Sequence, residues 1–206
     1  LVIAHDTRHY SKEFCDFAAK VATDMGANVY IWESCRPTPE MSFAVRTLRA
    51  DAGVMLTASH NPPHDNGYKV NFNDGAGIVE PHAKGIITEV NAITSEAYEP
   101  VAEADRGKVI VLGKDMDEAF LTRVKTSMLK PELLSKAQGL KIVYTALHGT
   151  GGVFVPGLMR GLGFNVTTVP EQDVQDGHFP TVESPNPENA PALKMAADLA
   201  DSIGAD

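Results

Sequence analysis

Short runs of aliphatic residues alternate with segments of helical period from Leu1 to Leu56, and that alternation constrains the fold more than anything else in the chain. Leu1 to Ala4 reads as a strand. Ser11 reads as the cap of a helix that runs to about Met25 and ends at Gly26. Its apolar stripe is Phe14, Phe17, Ala18, Val21, Ala22 and Met25. Asn28 to Trp32 is the next strand. In Arg36-Pro37-Thr38-Pro39 the pattern makes Thr38 an N-cap and Pro39 the first helical residue, of a helix to about Arg49 that turns Met41, Ala44, Val45 and Leu48 inward. A third strand opens at Gly53. Each crossover is long enough to return the chain for parallel pairing, so the opening of the chain is α/β.

After an antiparallel return at Tyr68 to Phe72, a helix from about Glu80 carries Ile86, Ile87, Val90 and Ile93. Tyr98 to Gly107 reads as a surface connection, Lys108 to Leu112 as a strand returning to the first unit, and Met116 to Met128 as a helix leading into a second one. From Leu140 the pattern restarts. Lys141 to Ala146 is a strand, Leu147 to Gly152 a glycine-rich loop, and helical, strand and helical segments follow to Ile203. The predicted fold is α/β, with two layered domains (residues 1–118 and 119–206) of mixed, mostly parallel sheets flanked by helices. The chain starts inside a strand and stops where another is due, so it reads as a piece of a longer protein whose second domain is incomplete. A sheet edge left open there invites pairing with another copy.

A formal net charge of −9 argues against nucleic acid and against anionic membrane surfaces, but leaves room for a local pocket that binds a phosphorylated metabolite. No apolar run is long enough to span a membrane. The two cysteines, Cys15 and Cys35, have no metal-type spacing and read as buried thiols. The stretch from Glu171 to Asn189 is long, acidic and rich in proline, which marks it as functional or as a contact surface.

The densest chemistry lies where the third strand ends, in Thr57-Ala58-Ser59-His60-Asn61-Pro62-Pro63 followed by Asn66-Gly67-Tyr68-Lys69. Pro62-Pro63 stiffens the loop, and Asn66-Gly67 supplies a turn. Ser59 can be a nucleophile or phosphate carrier, with Lys69 returned near it by the next strand, or it can merely satisfy backbone groups in a turn. A serine hydrolase would need Gly-x-Ser-x-Gly, which Ala58-Ser59-His60 lacks. Arg8, at the tip of the first strand, can give bidentate contacts to phosphate or can pair with Asp6 to fix its loop. Gly149-Thr150-Gly151-Gly152 could offer amides to an anion or be a tight turn, and it lacks the lysine of a P-loop.

These residues carry a resemblance. Thr57 to Pro62 with Asn66 to Lys69 closely resembles the active-site serine loop of the α-D-phosphohexomutase superfamily, which holds phosphoglucomutases, phosphomannomutases and phosphopentomutases. Asp6-Thr7-Arg8, Gly75 to Val79, Tyr144 to Gly151 and Phe179 to Pro187 extend it over nearly the whole chain. The last two, with His82, resemble the branch of bacterial phosphoglucomutases and phosphoglucomutase/phosphopentomutases.

The resemblance implies a cytoplasmic enzyme that interconverts glucose 1-phosphate and glucose 6-phosphate. Ser59 would carry the phosphoryl group, and a bisphosphorylated sugar would be both intermediate and activator. His60 and Lys69 would assist proton transfer and charge, Arg8 would bind phosphoryl oxygens, and Asn61 would lie at the phosphate. Mg²⁺ would bind Ser59 through its phosphate, with aspartate ligands outside this chain, so that the piece alone would be inactive. The alternatives are a phosphopentomutase or phosphomannomutase, or a non-catalytic sugar-phosphate-binding or scaffold protein.

Overall fold

The computed structural model describes residues 1–206. Its first sheet has five strands: β1 (Val2–His5), β2 (Val29–Trp32), β3 (Ala52–Leu56), β4 (Tyr68–Phe72) and β5 (Val109–Leu112). They lie in the order β4-β3-β1-β2-β5, parallel throughout except for the antiparallel β3–β4 pair. The strand read at Lys108 to Leu112 thus joins the first sheet, on the far side of β2. Helix α1 (Ser11–Asp24) covers one face and α2 (Thr38–Leu48) the other. Ile3, Cys15, Ala19, Val29, Val54 and Leu56 pack on the α1 side, and Val2, Trp32, Met41, Val45 and Met55 on the α2 side. Each large side chain buried there contributes roughly 1.5–3 kcal/mol.

The second sheet comprises β6 (Lys141–Tyr144) and β7 (Asn165–Thr168), in parallel. Between and around the sheets lie α3 (His82–Ala92), α4 (Lys114–Thr126), α5 (Leu134–Ala137), α6 (Val155–Gly161), α7 (Pro170–Asp173) and α8 (Ala190–Ile203). The flank of β6 away from β7 meets Asp206, whose backbone N–H donates to the Lys141 carbonyl at 2.9 Å. Helix α4 bridges the two units. Its Asp117 pairs with Arg36, and its Phe120 ring lies 5.8 Å from Phe43 of α2 and 5.9 Å from Phe154 of the second unit. No helix is long and apolar enough to cross a membrane.

Two local expectations are corrected. Ser11 and Thr38 are the first helical residues and cap nothing; Tyr10 and Pro37 precede them, and the Ser11 hydroxyl donates to Asp6 instead. The sheet-facing side of α1 is Ser11, Cys15 and Ala19, while Phe14 and Phe17 are 47% and 65% exposed. Small residues let the helix sit close to the sheet. The phenylalanines fall at its rim, where with Tyr68 they line a groove of about 400 Å³. On α3, Ile86, Ile87 and Val90 are exposed.

Candidate active site

In this strand order the chain leaves β1 toward β2 on one side, then returns through α2 to place β3 on the other. The carboxyl ends of β1 and β3 therefore flank a crevice of the kind that binds ligands in open α/β sheets. His5 pairs in register with Leu56, so Asp6-Thr7-Arg8 and Thr57-Ala58-Ser59 leave the sheet side by side, and the Asp6 N–H donates to the Leu56 carbonyl at 3.0 Å.

Asp6 ties these two segments together. Its Oδ2 accepts from the Thr57 hydroxyl at 2.6 Å, and its Oδ1 accepts from the Ser11 hydroxyl at 2.8 Å and the Arg8 N–H at 2.9 Å. The Thr57 Oγ1 in turn accepts the Ser59 N–H at 2.9 Å. The base of the loop is closed by the Thr57 N–H donating to the Gly67 carbonyl at 2.9 Å. Asn66 Nδ2 crosses to the His9 carbonyl and to Ser11 Oγ, at 2.9 and 3.0 Å. Gly67 is fixed by space, since a β-carbon there would stand 2.7 Å from the Thr57 carbonyl oxygen.

Arg8 lies beneath the loop. Its side chain is fully buried, with Nη1 donating to the carbonyls of Pro62 (2.8 Å) and Asp65 (3.0 Å), and Nη2 to those of Ser59 (2.9 Å) and Asn61 (2.7 Å). Its Nε lies 3.3 Å from Asp6 Oδ2. Where the sequence suggests contacts to phosphoryl oxygens, this geometry turns both terminal nitrogens of Arg8 to loop carbonyls. The guanidinium holds the loop from inside.

What the clamp presents is Ser59, exposed and in the left-handed region with φ 58°. Ser59 and His60 line a cleft of about 360 Å³ with Asp6 and Thr57 on one wall and Gly149, Thr150 and Pro187 on the other. Asn61 is exposed, with its backbone in the turn: its N–H donates to the Ala58 carbonyl, and its own carbonyl accepts from Arg8. Lys69 is exposed on β4 directly across from Met55, which also lines the cleft. Cross-strand partners share a sheet face, so Lys69 is on the face of Met55 without itself lining the cleft, and its ammonium makes no hydrogen bond or ion pair.

A larger opening of about 930 Å³ lies beyond Pro62 and His64, but Glu183 and Glu188 line it, and carboxylates repel a phosphate. The glycine-rich loop is held by polar groups that the sequence alone did not single out. Buried His148 bonds the Val174 carbonyl and Thr181 Oγ1 through its two ring nitrogens, and Gln172 accepts from Thr145 Oγ1 at 2.6 Å. The pairing of Asp6 with Arg8 follows one of the two sequence readings, whereas the anchoring role of Thr57 does not follow from the sequence, where a short polar run after the strand is its only signal. No three His, Cys, Asp or Glu side chains are placed to hold a metal ion. Cys15 and Cys35 are free and buried, and burial pushes the Cys15 thiol up to about 11.

Known proteins match the chain along nearly all of its length. Residues 1–97 match the family model for phosphoglucomutase/phosphomannomutase α/β/α domain I, and residues 118–206 that for domain II. A Schizosaccharomyces pombe protein named "Probable phosphoribomutase" is 37% identical over 99% of this chain and 35% of its own length. A Staphylococcus epidermidis phosphoglucomutase is 34% identical over all of this chain and 38% of its own. The crystal structure of a candidate phosphomannomutase from Thermus thermophilus superposes with a TM-score of 0.79 at 31% identity, covering 96% of this chain and 42% of that one. The chain thus spans well under half the length of these relatives.

Proposed function

The chain belongs to the phosphoglucomutase/phosphomannomutase family of α-D-phosphohexomutases, and from that premise we propose that it carries the phosphoserine part of a sugar-phosphate mutase site. The observation behind this reading is Ser59 itself, exposed at the head of a loop whose backbone is held on every side. A phosphoryl carrier must keep one geometry through two transfers, because phosphoryl transfer is mostly positioning and electrostatics.

In the proposed cycle a sugar hydroxyl oxygen forms a bond to the phosphorus as the bond to Ser59 Oγ breaks. The hydroxyl proton leaves to a base, the role assigned to His60, and the serine oxygen takes a proton on release. The resulting bisphosphorylated sugar turns over and returns its other phosphate to Ser59. Lys69, exposed and unpaired on the neighbouring strand, offsets the charge of the phosphoserine, near −2. Mg²⁺ would neutralise the rest, but this chain offers it only the phosphate oxygens that Ser59 would carry. Asp6 is occupied by Thr57, Ser11 and Arg8, so the residues present do not form a metal site.

Glucose 1-phosphate and glucose 6-phosphate are the proposed substrates, in the cytoplasm. A pentose phosphate is the second reading, favoured by the name of the Schizosaccharomyces pombe relative. The test is the product of the full reading frame containing this chain, assayed on glucose 1-phosphate beside Ser59→Ala, with phosphoserine mapped by mass spectrometry. Equal turnover by both proteins would sink the phosphoserine mechanism. Faster turnover of ribose 1-phosphate would move the substrate assignment.

A further inference from the structure

The proline-rich stretch after Glu171 takes no part in the chemistry above, yet its middle is packed against the clamp under Ser59. Gly177 lies so close to the turn after β1 that a β-carbon on it would stand 2.7 Å from both the His9 nitrogen and the Thr7 carbonyl oxygen. Two residues on, the Phe179 ring faces the Arg8 guanidinium, with its centroid 5.2 Å from Cζ, and Phe179 is only 3% exposed. Its φ of 50° costs an L-residue about 1–2 kcal/mol, so packing holds it there. Asp176 braces the turn by accepting the His178 N–H at 2.8 Å and, through its carbonyl, the Phe179 N–H at 3.1 Å. Farther along, the Ser184 hydroxyl reaches the His60 carbonyl at 3.3 Å.

Arg8 is therefore enclosed twice: four loop carbonyls occupy its edge, and an aromatic ring from the second unit closes one face. Water on that face would raise the local dielectric and weaken the in-plane N–H bonds. Excluding it strengthens every bond that the guanidinium makes. We propose that Phe179, seated by Gly177, is a positioning residue for Ser59: by sealing Arg8 it holds the serine loop in shape, so that the first unit presents its serine only with the second docked. Its part in phosphoryl transfer rests on the phosphoserine reading above.

The test is hydrogen exchange by mass spectrometry on the full-length protein and on Phe179→Leu, which keeps the bulk and loses the π face, and Gly177→Ala, which lifts the seat. Serine-loop amides, residues 57–67, should exchange at least tenfold faster in both variants, while those of β1 and β3 keep wild-type rates and kcat falls with KM held within twofold. Exchange in the loop within twofold of wild type overturns the proposal. So does acceleration spread equally over β1 and β3, since that would make Phe179 a stabiliser of the whole fold. The exchange readout does not need phosphorylated Ser59, so a wild type without phosphoserine would remove the functional reading and still leave this one decided.

Discussion

Replacing Arg8 by lysine separates two jobs that an arginine in this place could do. The guanidinium spreads two nitrogens over four carbonyl oxygens at 2.7–3.0 Å, whereas an ammonium radiates three donors from one point. Lysine can keep about half of the contacts. Two lost charge-assisted bonds at roughly 1.5–3 kcal/mol each set the upper limit. The freed carbonyls are part-buried, and a net loss of about 2 kcal/mol is expected. For a chain of this size that lowers Tm by about 4–8 °C. Thermal unfolding followed by circular dichroism gives the loss, and limited proteolysis should show new cleavage between Ser59 and Asp65. Arg8→Met should be worse, because Asp6 then keeps a half-buried charge without its cation. The reasoning fails if Arg8→Lys keeps wild-type Tm and protease resistance yet loses phosphoryl transfer. In that case the guanidinium acts on the phosphate and not on the loop.

Burial, reinforced by neighbouring Asp117 and opposed by Arg36, pushes the Glu40 carboxyl from 4.5 up to about 8. Between those values the folded chain holds more protons than the unfolded one, so this group's contribution is full below pH 4.5 and is lost as pH rises toward 8, by up to about 1.4 kcal/mol per unit. Glu40→Gln should therefore lose less stability than its parent between pH 5.5 and 8, read as urea midpoints; parallel curves would count against this. Gly67→Ala should cost about 1–3 kcal/mol by forcing a methyl against the Thr57 carbonyl, and a variant as stable as its parent would show that the loop can open there. Cys15 and Cys35 should resist alkylation at pH 8 until denaturant is added, because burial raises both thiols; prompt labelling of the native chain would contradict their placement.

Much of the fold was legible because periodicity reports directly on which face is buried. The strands at Leu1, Asn28 and Gly53 and the helices between them follow from it, as does the antiparallel return at Tyr68. What failed depends on distance across the sheet. Phe14 and Phe17 have the spacing of a core stripe, but α1 sits close to its sheet over Cys15 and Ala19, and no pattern in the helix alone encodes that separation. The site divides the same way. Ser59 is visible as a serine after a strand and before a proline lock. That Arg8 faces the loop backbone, and that Phe179 covers it, depends on the register of β1 against β3 and on the docking of a segment far along the chain.

The aromatic run through Phe43, Phe120 and Phe154 gives the joint between the two units an uneven character. Tilted rings about 6 Å apart fall within the broad range of favoured aromatic pairings, so a small roll between them costs little. At the other end of the joint, Gly177 lies against Thr7 and His9 with no room even for a β-carbon. One side behaves as a bearing and the other as a latch. Any swing of the second unit would pivot on α4 and be felt first at Phe179, where a displacement small enough to leave both cores intact already unseats the ring from the arginine beneath the serine.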